Sequence, residues 1–144
     1  MNGRSACACG RETHCDEERC VEHHRHCSGG AIGANLRYGL SGWAAQRWGA
    51  SFPYGTLIVN VIGSFAIGFV LVLATTRLNL SDTARLLIVN GLLGGFTTFS
   101  SLSFETYALV TSGSWLAAGL YVLSSFGLGI ASVFLGAGIA RLLP

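Results

Sequence analysis

The sequence predicts an all-α membrane protein with four transmembrane helices, the third of them broken. Three observations carry this. Charged residues make up 11% of the 144 residues against 51% hydrophobic, where a soluble domain is about a quarter charged. Uncharged runs reach the roughly 20 residues that a helix needs to cross a hydrocarbon core. One long apolar stretch is interrupted by paired glycines and β-branched threonines, which are poor helix material. The length is that of one domain, and nine arginines with a net charge of +2 leave no dense basic face for nucleic acid.

Composition divides the chain into a polar Cys/His-rich extension, residues 1–28, and an apolar, Gly-rich body, residues 29–144. All five cysteines and all four histidines lie at or before Cys27, and beyond it the charges are only Arg37, Arg47, Arg77, Asp82, Arg85, Glu105 and Arg141. The extension has no apolar core of a signal peptide. The first segment, Ser28 to Leu40, reads as the second half of a membrane helix. The residues before it, EHHRH at 22–26, cannot enter hydrocarbon cheaply, so only a short first helix is expected. Gly55 to Thr76 is free of charge and long enough to span. Ala84 to Val110 is long enough too, but its middle, GLLGGFTTFSS, predicts a break. Trp115 to Ile139 is the last span, with Trp115 and Tyr121 near one end and Arg141 past the other as interfacial anchors.

Small residues four apart recur in each segment, at Gly29/Gly33, Ser64/Gly68, Gly91/Gly95 and Ser132/Gly136, a spacing that lets helices approach closely. Four short helices bury little alone, which points to an oligomer. Arginine counts on the two sides of the body differ by one, too little to fix a single orientation.

The body has no His or Cys and only two carboxylates, so it lacks the titratable groups of a hydrolase, redox enzyme or proton-coupled transporter. It is not expected to be an enzyme. Its spans instead hold neutral hydrogen-bonding groups at helical spacing: Thr56, Asn60 and Ser64 on the second helix, Tyr121 and Ser125 on the fourth. Thr56 and Ser64 also read as packing groups between helices. An amide such as Asn60 is costly in hydrocarbon unless partnered, and its two N–H donors can face an anion. Donors without fixed positive charge suit an ion that must both enter and leave. The unwound GGFTT offers carbonyls to a small cation, and Phe99 beside it can turn a positive ring edge toward an anion or simply pack.

GGAIGANLRY at 29–38, GTLIVNVIGSFAIG at 55–68, GLLGGFTTFSSLSFE at 91–105 and YVLSS at 121–125 together resemble the fluoride channel family called Fluc, or CrcB. The resemblance implies an antiparallel dual-topology dimer in the cell membrane that exports fluoride passively from the cytoplasm. It implies a central structural sodium ion, held by the backbone carbonyls of Gly94 and Thr97 from both subunits. It puts Asn60, Phe99, Tyr121 and Ser125 on the ion pathway. Arg37 matches the family's arginine at the end of helix one, as a vestibule charge or an interfacial anchor. Glu105 also matches, and hydrogen bonding near helix three suits a carboxylate better than anion conduction. One position departs: where the family reads TTFSTFS, this chain has Leu102 in place of the second phenylalanine. Phe104 lies about 200° around the helix from Leu102 and is a poor substitute.

That departure keeps a second reading open, in which the chain is one subunit of a heterodimer with a homologous partner. A small multidrug-type exporter is the rival from another class, but it needs a membrane carboxylate in helix one, and residues 29–48 hold none. The extension is open among zinc binding by Cys15, Cys20, His23 and Cys27, a disordered or accessory segment, and a misplaced translation start.

Overall fold

The computed structural model describes residues 17–76 and 81–143, with side chains for 27–76, 81 and 83–143. All regular structure among the described residues is helical. The elements are α1 (Glu17–Trp48), α2 (Tyr54–Thr76), α3 (Asp82–Leu86), a π-helical segment (Leu87–Leu93), α4 (Gly94–Phe96), α5 (Phe99–Thr111) and α6 (Trp115–Leu142). Three stretches are long and apolar enough to cross a membrane: Tyr54–Thr76, Thr83–Thr111 and Trp115–Leu142. They fall within a few residues of the runs delimited by charge and Gly/Pro punctuation.

The first helix differs from expectation. It begins at Glu17 and runs for 32 residues, so residues 17–27 continue the helix instead of ending at a boundary near Ser28. The reason is that Glu, Arg and Cys close helical hydrogen bonds as readily in water as apolar residues do in lipid, and Glu and Arg are good helix formers. The cost of charge in hydrocarbon limits where a helix can be inserted, not where it can form. Cys7, Cys9 and Cys15 lie outside the described residues, as do the side chains of Cys20 and His23. Cys27 is exposed on α1.

Two turns close on glycines in the left-handed region. Gly49 (φ 81°) ends α1, and Gly113 (φ 81°) ends α5. After α5 the Ser114 N–H reaches back to the Leu109 carbonyl at 2.9 Å, so the helix closes tightly before α6. α2 then lies along α6. Cβ atoms at Gly68 and Gly136 would overlap the carbonyl oxygens of Val133 and Phe65. The small-residue spacing thus brings the two backbones into direct contact.

α1 crosses the π segment and α4 in the same way. A Cβ on Gly33 would overlap the Leu92 carbonyl oxygen, and one on Gly95 would lie 2.6 Å from that of Gly30. The π segment is closed by an N–H of Gly94 donating to Val89, five residues back. This wider turn carries the backbone that meets α1, and π turns of this kind recur at functional sites.

The crossing gives a paired prediction on α1. Gly33→Ala forces backbone against backbone and lowers stability by about 1–3 kcal/mol. Gly39, with no atom within 4 Å of a Cβ, tolerates the same change and gains about 0.5–1 kcal/mol from helix propensity. Thermal midpoints of the two purified variants in detergent check the contrast.

Candidate functional site

Between α4 and α5 the chain leaves helical geometry for two residues. Thr97 (φ −78°, ψ 157°) and Thr98 (φ −153°, ψ 120°) are extended. Backbone polar groups released at this depth need other partners. Asn60 on α2 supplies them for Thr98: its Oδ1 accepts from the Thr98 N–H at 3.0 Å, and its Nδ2 donates to the Thr98 carbonyl at 3.2 Å. The Thr98 side chain caps α5 by accepting from the Ser101 N–H at 3.2 Å.

These substitutions have a consequence for two carbonyls. In an uninterrupted helix the Gly94 carbonyl would accept from the Thr98 N–H, and the Thr97 carbonyl from the Ser101 N–H. Both donors point elsewhere here, to Asn60 and to Thr98 Oγ1. The carbonyls of Gly94 and Thr97 are therefore released from those helical bonds on the wall of one cavity. Hard oxygen donors of this kind suit a small cation such as sodium.

That cavity has a volume of about 560 Å³ and is walled by α2, the π segment with α4, the start of α5, and α6. It brings together Asn60, Gly94, Thr97, Phe99 and Ser125. No Asp, Glu or Arg lines it. The second N–H of Asn60 has no partner among the described residues, and it is available to a ligand. Ser125 is 6% exposed, and its hydroxyl also has no partner among the described residues. Buried polar groups are nearly always paired, so this hydroxyl, itself almost fully buried on a residue that lines the cavity, is an exception among the described residues. Phe99 is exposed, Leu102 is buried on the cavity wall, and Phe104 is exposed away from it.

Tyr121 lies apart from the others. Its side chain is fully buried, its ring meets Phe52 edge to face at 5.5 Å, and its hydroxyl donates to Glu105 Oε2 at 2.6 Å. The other carboxylate oxygen of Glu105 accepts from Thr56 Oγ1 at 2.8 Å. Glu105 thus joins α2, α5 and α6, whereas the sequence suggested bonding near the third helix alone. Arg37 is half-buried on α1 and does not line the cavity. Of the second-helix stripe, Thr56 is a tie between helices, Asn60 holds the extended backbone and Ser64 faces the cavity. Sequence reasoning missed two features: the pair of hydrogen bonds between Asn60 and Thr98, and Phe126, which lines the cavity next to Phe99. A phenylalanine in an apolar helix carries no signal beyond its neighbour Ser125.

The Glu105 tie predicts a rescue. Glu105→Ala leaves two hydroxyls unsatisfied and lowers the detergent thermal midpoint, by about 2–4 kcal/mol of stability. Adding Tyr121→Phe and Thr56→Val removes the stranded donors and recovers more than half of that loss. An unchanged midpoint in Glu105→Ala would show that the tie contributes nothing.

The chain matches the family described as CrcB-like protein, Camphor Resistance (CrcB), over residues 26–137. It is 91% identical over 116 residues to the fluoride-specific ion channel FluC of Roseiflexus sp. (strain RS-1), a stretch covering 81% of this chain and 94% of that one. It is 52% identical over 113 residues to the protein of the same name from Chloroflexus aurantiacus, covering 78% and 90% of the two chains. The FluC of Rhizobium etli is 48% identical over 115 residues, with coverage of 80% and 92%. With three apolar helices of spanning length and a family match over most of its length, the chain is a multi-pass membrane protein that belongs to the CrcB family.

Proposed function

We propose that this chain is a fluoride-selective channel that lets fluoride leave the cytoplasm passively and so relieves its toxicity. The observation that carries the reading is a cavity with no charged side chain among its described lining residues, where Asn60, Ser125 and the Phe99 ring come together. Donors of this kind replace the hydration shell of a small anion. The absence of a cationic side chain among the described lining residues lets the anion depart. The names of the relatives from Roseiflexus and Chloroflexus support fluoride as that anion.

The working form is proposed to be an antiparallel dual-topology dimer in the cell membrane, with α1 as a fourth span whose polar start stays outside the lipid. Asn60, Phe99 and Ser125 line each pathway, and Tyr121, tied to Glu105, bounds it. The released carbonyls of Gly94 and Thr97 would hold a structural sodium between two subunits. Such an ion, if held there, would add positive charge between the two subunits. Residues 29–144 form this channel unit, and residues 1–28 are an addition to it. A heterodimer with a homologous subunit is the second reading, favoured by Leu102, which brings no ring to the cavity wall.

Efflux from fluoride-loaded liposomes, followed with a fluoride electrode, tests the reading. The purified chain alone is expected to release fluoride and to retain chloride. Ser125→Ala lowers flux several-fold with an unchanged thermal midpoint, because the hydroxyl it removes makes no bond within the described structure. Asn60→Ala lowers both flux and stability, because it strands the Thr98 backbone. Liposomes that leak chloride as fast as fluoride would refute fluoride selectivity. Efflux that appears only with a homologous second subunit selects the heterodimer.

A further inference from the structure

Among the described residues two aromatic side chains line the cavity, Phe99 from the start of α5 and Phe126 from α6. Their centroids are 6.4 Å apart and their planes meet at 68°, close to perpendicular. In such a pair the positive edge of one ring addresses the negative face of the other, so each ring restrains the tilt of its neighbour. Phe99 needs that restraint: it is 69% exposed, and no other ring lies against it among the described residues. Phe126 follows Ser125 directly, which puts a ring and the orphan hydroxyl on the same turn of α6 and the same wall. Leu102, one turn after Phe99, lines the cavity but has no ring edge to offer.

From this arrangement we infer that Phe126 is a positioning residue for the anion pathway, holding Phe99 so that its ring edge and not its face meets the ion. The inference rests on the channel reading above. The physical need is specific. An anion is attracted to the rim of an aromatic ring and repelled by its face, so a Phe99 free to rotate would present an attractive and a repulsive surface in turn. A near-perpendicular partner whose edge lies on the Phe99 face would disfavour the repulsive setting, and a leucine has no ring edge with which to do so. On this account the chain carries its second aromatic on α6, next to a donor, and conducts without a ring at Leu102.

The test compares Phe126→Leu with Phe126→Tyr in the full chain, reading fluoride efflux, chloride leak and thermal midpoint. Phe126→Leu is expected to lower fluoride flux about three- to tenfold, the size of one aromatic pair interaction, and to narrow the fluoride-to-chloride ratio. Phe126→Tyr keeps the ring and recovers most of that loss. Should Phe126→Leu fail to yield a folded protein, Phe126→Met is read in its place. A wild type that conducts, with Phe126→Leu equally active or with Tyr as defective as Leu, overturns the positioning role and leaves the channel reading intact. A wild type silent both alone and with a homologous subunit overturns both.

Discussion

The structure depends on one exchange of hydrogen bonds. Where Thr97 and Thr98 leave the helix, two peptide groups lose their usual partners inside an apolar body. Asn60 accepts from and donates to the same residue, so a single side chain from α2 satisfies the interruption that α5 begins with. Without it the cheaper arrangement would be a continuous helix, and every carbonyl near the cavity would be engaged internally. With it, two carbonyls, a side-chain N–H and the Phe99 ring stand on one wall. The amide that looks like a ligand group in the sequence is first a structural partner, and its remaining donor is what a ligand can use.

Charge is arranged to match. Glu105, the carboxylate of α5, spends both oxygens on hydroxyls from α2 and α6. It thereby fixes the spacing of three helices and keeps its acceptor atoms off the cavity wall. A carboxylate on that wall would repel an anion. Placed behind the wall, the same residue ties α2, α5 and α6 together through two hydrogen bonds.

Much of this was legible in the residues, for identifiable reasons. The spans Gly55 to Thr76 and Trp115 to Ile139 end where charge, glycine or proline begins, and the helices end there too, within a few residues. GLLGGFTTFSS named the stretch that holds the extended pair, since glycines and threonines favour the helix least. What was not legible depends on which helices meet. Nothing in the spacing of Asn60 says that Thr98, 38 residues on, will be its partner. Nothing in Phe126 distinguishes it from seven other phenylalanines until α6 is laid beside α5. The start of α1 at Glu17 is not legible from the cost of charge in hydrocarbon, which limits insertion into lipid and not helix formation.

The glycine crossing of α1 has a mechanical side. Bare main chain rests on bare main chain at Gly33 and Gly95, so no rotamer stands between them to absorb a displacement. Any shift of α1 along this crossing would therefore press main chain directly on the segment that leads to Thr97 and Thr98. α1, which has no residue on the cavity wall, is thus coupled by backbone contact to the segment that forms part of that wall.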